Sequence, residues 1–186
     1  KSKSSCNIMI PGGKSFEKIF IELIEIYKIE NLNINLFMTD ERFTKINSKE
    51  NNYNMIKKFS QNKNINLFRI KTYLKDIKKE IARYSDIIHH QIDILILSVA
   101  DDGHIASIFP EKIDYYKMAT NMTTVSSSNH HLRRVTITPK FITEINNKII
   151  LLKGNKKVKI MKKLYNKSNK EIDRYLNLIF KSKCLI

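Results

Sequence analysis

One short segment of the chain carries the residue types used in acid/base catalysis. Asp101, Asp102, Gly103 and His104 follow directly after an apolar run. A histidine titrates near neutral pH, so it can take a proton from water and return one to a leaving oxygen. A nearby carboxylate can fix the tautomer of such a histidine, and either aspartate could do so. We predict His104 and Asp102 as catalytic residues, against the alternative of a solvated loop histidine.

A second segment has the composition of a phosphate-binding loop. Gly12 and Gly13 stand between a short apolar run and a helical pattern that starts near Ser15. Glycines let the backbone approach an anion closely, and the first N–H groups of a helix point toward it. Ser15 is also a suitable N-cap residue for that helix. Because the spacing is not that of the Walker motif, an ordinary strand-to-helix turn is the alternative.

Arg42, Arg134 and Lys157 are cationic side chains that could assist such a loop. A guanidinium can bind a phosphate or a carboxylate through two parallel hydrogen bonds, and an ammonium adds a point charge. Asp40 and Glu41 could supply a carboxylate or could pair with Arg42. For the arginines, a surface salt bridge is the ordinary alternative.

Short β-rich apolar runs alternate with helical patterns along the chain, which predicts an α/β fold with a largely parallel sheet. Residues 39–42 are predicted to form a loop, and a short helix could follow His104. The predicted strands are residues 6–10, 35–38, 92–97, 134–138 and 148–152. The predicted helices start near Ser15, cover residues 52–59, 74–89 and 139–145, and resume at Gly154.

Four loops follow the carboxyl ends of predicted strands, where ligands bind in open α/β sheets. Arg134 begins a predicted strand, so we expect it to reach the same crevice only from its rim. Anion-binding groups and one histidine in a single crevice favour a phosphorylated substrate and proton transfer. The four loops are residues 11–15, 39–42, 100–104 and 154–157.

Composition narrows the class of protein. The 186 residues carry a formal net charge of +16, but the lysines are scattered and not interleaved with aromatic residues, so nucleic-acid binding is not predicted. Cys6 and Cys184 suit a reducing cytosol better than a secreted disulfide framework. No apolar run reaches the roughly 18 residues of a membrane span. Without a repeat or a linker, one domain is predicted over residues 1–186.

The remaining histidines do not predict a metal site. His89 and His90 are neighbours in the chain, as are His130 and His131. Adjacent side chains on a helix or strand point apart, so neither pair is well arranged to share an ion.

Five of these motifs together resemble the 6-phosphogluconolactonase family, within the larger group that includes glucosamine-6-phosphate deaminases. Residues 102–110 read D-G-H-I-A-S-I-F-P, close to that family's D-G-H-T-A-S-L-F-P. Residues 40–42 match its D-E-R, and Asn52 matches an asparagine that follows. The other three matches are residues 12–15 with G-G-S-T, residues 134–138 with R-V-T-L-T, and residues 154–157 with G-x-x-K.

The resemblance implies a Rossmann-like fold with a mostly parallel central sheet and helices on both faces. It implies cytoplasmic hydrolysis of 6-phospho-D-glucono-1,5-lactone to 6-phosphogluconate, in the oxidative branch of the pentose phosphate pathway, without a metal or organic cofactor. His104 would activate water and then protonate the ring oxygen, with Asp102 beside it. Some members are fused to glucose-6-phosphate dehydrogenase, so fusion to or association with that enzyme is a further expectation. The substrate-binding residues would be Gly12, Gly13, Ser15, Asp40, Arg42, Asn52, Arg134 and Lys157.

The sequence also departs from the family's pattern. Ser98, Val99 and Ala100 stand where G-x-G is usual, and a positive φ at Ala100 would strain this loop. Pro11 replaces a common serine of the phosphate loop. The helix that usually precedes the first strand has no counterpart here, so we expect a trimmed or excised domain.

Three other functions stay open. A glucosamine-6-phosphate deaminase-like isomerase also carries D-G-H, but the glutamate that follows it in those enzymes is absent from residues 107–110. A non-catalytic sugar-phosphate-binding protein would keep the crevice without turnover, which the altered residues 98–100 favour. Nucleic-acid binding is supported by the net charge alone.

Overall fold

Two sheets organise the part of the chain that the structure describes. The computed structural model covers residues 5–27, 33–61, 63–89, 91–110, 119–127, 130–166, 175–177 and 184–185. Its elements in chain order are β1 (Cys6–Ile10), α1 (Lys14–Tyr27), β2 (Ile34–Met38), β3 (Asp40–Arg42), α2 (Asn52–Ile56), a 3-10 helix (Lys57–Gln61), β4 (Ile65–Phe68), α3 (Ile77–Ile88), β5 (Ile94–Ser98), β6 (Met122–Ser127), β7 (His130–Ile137), α4 (Pro139–Glu144), β8 (Lys148–Leu151), α5 (Asn155–Asn166) and β9 (Cys184–Leu185).

The larger sheet has the order β4-β2-β1-β5-β8-β9, and all of its strand pairs are parallel. Its central strands are apolar, and Leu95 and Leu97 of β5 are fully buried. The strand order reverses between β1 and β5, which opens a crevice between the loops that follow these two strands. This is the α/β architecture with a mostly parallel central sheet that the sequence predicts.

The smaller sheet, of order β3-β7-β6, corrects one prediction from the sequence. Residues 40–42 of the predicted loop form a strand instead, because β3 pairs antiparallel with β7. The three polar residues of β3 show no apolar alternation, and their partner strand lies far along the chain, so local pattern could not reveal the pairing. β7 begins at His130, which places Arg134 in the interior of this strand and not at its start.

The segment after His104 is not a helix, contrary to prediction. Residues 101–110 form turns, and Ile105 makes a two-residue bridge with Ile108 through reciprocal backbone hydrogen bonds. Ala106 between them has a φ of 49°, a left-handed conformation through which a right-handed helix cannot continue.

Other element boundaries shift by a few residues. The predicted helix at 52–59 ends as an α-helix at Ile56 and continues as the 3-10 helix. α3 starts at Ile77, because the side chain of Asp76 caps it by accepting the backbone N–H of Lys79. β4 and β6 lie in segments for which the sequence pattern predicts no strand.

Tyr84 anchors α3 to the central sheet. Its fully buried hydroxyl accepts the backbone N–H of Met38 at 2.6 Å and lies 3.2 Å from the carbonyl oxygens of Met38 and Phe68. One side chain therefore joins the helix to both β2 and β4. No helix among the described residues combines the length and the apolar character needed to cross a membrane.

Candidate active site

A cleft of about 520 Å³ opens where the order of the central sheet reverses. The loops after β1 and β5 contribute to it, as do β3, β7 and the first turn of α5. Ser15 lies in α1, but its side chain is outside the described atoms. Asp102 contacts His104 beside the cleft. The remaining predicted site residues all line the cleft: Gly12, Gly13, Asp40, Arg42, Asn52, His104, Arg134 and Lys157.

His104 and Asp102 form a hydrogen-bonded pair, with Nδ1 of His104 2.6 Å from Oδ1 of Asp102. Burial alone would raise the pKa of Asp102, but the hydrogen bond and charge of His104, with a hydrogen bond from His130, hold that pKa well below its usual range. An ionised carboxylate only accepts, so Nδ1 of His104 carries the ring proton. In the neutral form of the ring Nε2 then keeps its lone pair, and no described residue bonds to it. Of the two aspartates that the sequence leaves open, Asp102 orients the imidazole.

A second imidazole, not selected from the sequence, completes this cluster. Nε2 of His130 lies 2.9 Å from Oδ2 of Asp102, and its Nδ1 lies 3.2 Å from Nη2 of Arg134. The buried ring of Phe109 packs against both imidazoles, with centroids 4.8 Å from His104 and 5.1 Å from His130. His130 and Arg134 lie four residues apart on one strand and so share a face, which is the signal that could have identified His130.

Asp102, His104 and His130 could also hold a metal ion. One donor atom from each residue lies within 4.8 Å of the others, and imidazole and carboxylate are both ligands of zinc. The guanidinium of Arg134, next to His130, opposes a divalent cation by charge repulsion. The sequence comparison of adjacent histidines does not identify this three-residue cluster, because its members come from two distant segments.

Arg134 is buried, which corrects the expectation that it reaches the crevice from the rim. Its Nη1 donates to Oγ of Ser107 at 3.3 Å, and that hydroxyl donates to Oδ2 of Asp40 at 2.6 Å. Burial lowers the pKa of Arg134, and the charge of Arg42 acts in the same direction, against Asp40 and Asp102. Its Nε has no hydrogen-bond partner among the described residues.

Arg42 and Lys157 add positive charge to the same cleft. Arg42 is the direct cross-strand partner of Arg134, and its Nη1 donates to the carbonyl oxygen of Glu50 at 2.8 Å. Lys157 lies in the first turn of α5 and is half-buried. With Lys49, four cationic side chains line this cleft, which suits an anionic ligand.

Glu41 joins β3 to the start of α2. Its carboxyl oxygens accept the backbone N–H groups of Arg42, Asn52 and Tyr53, each at 2.8 Å. Burial raises the pKa of Glu41 to about 7, although these N–H donors act in the opposite direction. The side-chain amide of Asn52 in turn donates to the carbonyl oxygen of Asp40 at 3.0 Å. Glu41 therefore fixes the backbone of two predicted substrate-binding residues.

Two glycines are required by the space around them. A Cβ on Gly12 would lie 2.2 Å from Cγ of Asn52, so only glycine lets these two residues pack together. Gly103 has a φ of +91°, and a Cβ there would lie 2.9 Å from Cδ1 of Leu164 in α5. The tight turn into His104 therefore depends on glycine for both conformation and room.

The loop before His104 does not carry the strain anticipated at Ala100. Among the described non-glycine residues, a positive φ occurs at Ala106 alone. The N–H of Ala100 donates to the carbonyl oxygen of His104 at 2.9 Å, and its own carbonyl oxygen accepts from Gly103 at 3.0 Å. The departure from G-x-G is thus accommodated by an ordinary backbone conformation.

Comparison with known proteins identifies relatives of the chain and structures that share its fold. The 6-phosphogluconolactonase of Borreliella burgdorferi is 27% identical over 163 residues, which are 80% of this chain and 68% of that protein. A bifunctional glucose-6-phosphate 1-dehydrogenase/6-phosphogluconolactonase of Plasmodium falciparum is 27% identical over 192 residues, covering 81% of this chain and 21% of that protein. The structure of a 6-phosphogluconolactonase from Plasmodium vivax has the same fold, with a TM-score of 0.80 and 20% identity over 97% of this chain and 76% of that one.

The family comparison covers nearly the whole chain. The sequence model described as glucosamine-6-phosphate isomerases/6-phosphogluconolactonase matches residues 1–177, which include every residue of the cleft. This chain belongs to the glucosamine-6-phosphate isomerase/6-phosphogluconolactonase family.

Proposed function

We propose that this protein hydrolyses 6-phospho-D-glucono-1,5-lactone to 6-phosphogluconate, with His104 as general base and then general acid. The observation that carries the proposal is the His104–Asp102 pair, at 2.6 Å, in a cleft that four cationic side chains also line. The relatives from Borreliella burgdorferi and Chlamydia pneumoniae are both named 6-phosphogluconolactonase, which supports this member of the family over the isomerases.

The cations would hold the phosphate of the substrate. Arg42 and Arg134 are direct partners across β3 and β7, so their guanidinium groups present paired donors to one anion. Lys157 faces the same space from the start of α5. The N–H groups at the start of α1, next to Gly12 and Gly13, add donors without a charge of their own.

The chemical step uses the free nitrogen of His104. Nε2 takes a proton from water as the water oxygen attacks the lactone carbonyl carbon. The tetrahedral oxyanion then collapses, the bond from that carbon to the ring oxygen breaks, and Nε2 returns the proton to the ring oxygen. Asp102 keeps the imidazole in the required tautomer and stabilises the transient imidazolium. Holding the substrate in position and supplying one general base is sufficient to catalyse lactone hydrolysis, because this cyclic ester opens readily.

The isomerase alternative finds less support in the residues around His104. The carboxylate that contacts this histidine is Asp102, which precedes it, and residues 107–110 supply no acid. Ser107, which follows, instead bonds Asp40 and Arg134. The side chains around the imidazole therefore suit a single base that acts on water.

The test is hydrolysis of freshly prepared lactone, corrected for spontaneous opening, by the wild type and by His104→Ala. We expect kcat to fall by about 10²-fold or more in the variant. His89→Ala, which removes an exposed histidine outside the cleft, is the matched control and should keep wild-type activity. Unchanged hydrolysis by His104→Ala would refute the role of His104.

Two other outcomes would indicate a different function. Binding of 6-phosphogluconate by the wild type without turnover of the lactone would indicate a sugar-phosphate-binding protein. Release of ammonia from glucosamine 6-phosphate would indicate an isomerase.

A further inference from the structure

We propose that His130 is a positioning residue of the acid/base unit, which holds Asp102 by its second oxygen and so fixes the tautomer of His104. This inference rests on the proposed role of His104. It goes beyond that role because His130 belongs to none of the motifs that carry the family resemblance. Its ring lies between the carboxylate of Asp102 and the guanidinium of Arg134.

The neighbours of His130 determine where its ring proton lies. Arg134 has donors but no acceptor, so Nδ1 of His130, 3.2 Å from Nη2, must accept. The proton of the neutral ring therefore sits on Nε2, which lies 2.9 Å from Oδ2 of Asp102 and donates to it. A proton on Nδ1 would face an N–H of Arg134 and would lose that hydrogen bond.

The same contacts fix the carboxylate. Oδ2 of Asp102 takes the N–H of His130, which leaves Oδ1 directed at Nδ1 of His104. This restraint is needed because the side chain of Asp102 is 39% exposed, so water competes for both oxygens. Among the described residues, His130 is the one donor to Oδ2, so its loss would free the carboxylate to rotate.

The packing around His130 holds its ring in a defined position next to Asp102. Phe109 is almost fully buried beneath the cluster and contacts both imidazole rings. The two rings meet edge to face, at 87°, with centroids 5.3 Å apart. The guanidinium of Arg134 lies 5.6 Å from the centre of the same phenyl ring. One apolar platform therefore fixes the three groups relative to each other.

Two near-isosteric substitutions separate the two contacts of His130. Glutamine places an amide N–H near the position of Nε2 and retains the donor to Asp102. Asparagine places a carbonyl oxygen near the position of Nδ1 and retains the acceptor for Arg134. If His130 positions Asp102, glutamine at this position should preserve activity and asparagine should not. If His130 only supports Arg134, asparagine should preserve activity and glutamine should not.

The first measurement is lactone hydrolysis by His130→Gln, His130→Asn and His89→Gln. We expect kcat of His130→Asn to fall by about 10- to 100-fold with little change in KM, because the base is misplaced while the phosphate site is retained. His130→Gln should stay within about threefold of the wild type. His89→Gln is the matched control, since this exposed histidine lies outside the cleft. Rescue by asparagine, a change confined to KM, or equal loss in both His130 variants would overturn the proposal.

The second measurement locates the ring protons by long-range ¹⁵N–¹H correlation of the histidine rings and needs no turnover. In the wild type we expect the proton on Nδ1 of His104 and on Nε2 of His130. In His130→Asn, the ring of His104 should become a mixture of tautomers. A ring of His104 that is unchanged in this variant would overturn the proposal. Because this readout is independent of activity, it separates failure of the inference from failure of the proposed function.

Discussion

Arg42 on β3 and Arg134 on β7 are direct partners across an antiparallel strand pair. Directly opposed residues project from the same face of a sheet, and like charges in that position destabilise it. The pKa of Arg134 is lowered by its burial and, further, by the charge of Arg42. An anion bound between the two side chains would remove this repulsion and would thereby stabilise the fold.

Replacing Arg42 should therefore separate stability from binding. In Arg42→Gln we expect the free energy of unfolding without ligand to rise by about 0.5 kcal/mol, because a like-charge pair is removed. We expect KM for the lactone to rise by about tenfold or more, because a charged hydrogen bond to phosphate is lost. Thermal unfolding with and without 6-phosphogluconate checks both effects, since the ligand should raise the Tm of the wild type more than that of the variant.

Arg133→Gln is the control for that experiment. The side chain of Arg133 lies on the face of β7 opposite to that of Arg134. Its guanidinium contacts the ring of Phe43 and the hydroxyl of Thr124 there. Its replacement also removes one positive charge, from the strand that pairs with the strand of Arg42, and leaves the lining of the cleft unchanged. An equal loss of ligand-induced stabilisation in Arg133→Gln would mean that general charge, and not the Arg42–Arg134 pair, binds the anion.

The charge of Asp102 should be present throughout the working pH range of the enzyme. Its depressed pKa means that the acid limb of the pH–rate profile does not arise from this carboxylate. We expect Asp102→Asn to lower kcat by about 10²-fold or more while it keeps the shape of the side chain. Asp101→Asn, next in the chain and exposed, should retain activity. An Asp102→Asn enzyme with wild-type kcat would contradict the assigned role.

The same pKa shift has a defined sign for stability. A carboxylate whose pKa is lowered in the folded state stabilises the protein above its ordinary pKa of 3.8, and this contribution is lost as the pH falls through the lower folded value. Unfolding by urea at a series of pH values should therefore show Asp102→Asn and the wild type converging only in strong acid. Convergence near neutral pH would be inconsistent with an ionised Asp102.

Glu80 provides a second pH-dependent contribution, away from the cleft. Burial alone would raise the pKa of Glu80, but two hydrogen bonds from Arg83 and one from the backbone N–H of Lys71 bring it below the ordinary 4.5. We expect Glu80→Gln to destabilise the fold at pH 7 by about 2 kcal/mol, with the difference lost as the pH falls below that ordinary value. Glu144→Gln, in an exposed pair with Lys140, should change stability by less than about 0.5 kcal/mol.

Gly12 should be intolerant of even the smallest side chain. A Cβ at this position would overlap the amide of Asn52, so we expect Gly12→Ala to destabilise the protein by about 1–3 kcal/mol and to impair the cleft. A double-mutant cycle with Asn52→Ala checks the cause. If the clash is responsible, the second substitution should recover part of the loss caused by the first, and additive losses would place the effect elsewhere.

Zinc should inhibit the enzyme at the acid/base cluster. The proposed mechanism needs Nε2 of His104 free and uses no metal, so EDTA should leave kcat unchanged. An ion held by Asp102, His104 and His130 would displace the ring proton and disrupt the orientation of the base. We expect added Zn²⁺ to inhibit the wild type, and His130→Gln to be less sensitive because one ligand is missing. Loss of activity on chelation would contradict the metal-free mechanism.

Much of the fold could be predicted from the sequence because its elements are encoded locally. The apolar run at residues 92–97 predicts a buried strand, and β5 occupies Ile94–Ser98. Thr138 before Pro139 fits the start of α4, where the threonine side chain accepts the backbone N–H of Phe141. Such features depend on a few consecutive residues, so they can be predicted without knowledge of the rest of the molecule.

The sequence by itself determined the alternation of strands and helices, the glycine turns and the candidate residues that line the cleft. Only the tertiary structure decided that β3 is a strand, that Arg134 is buried, that Asp102 and not Asp101 orients His104, and that His130 joins them. The physical reason is that these facts are contacts between distant segments. Local periodicity reports which face of an element is apolar, whereas a hydrogen bond such as that from His130 to Asp102, 28 residues away, exists only once both segments are folded.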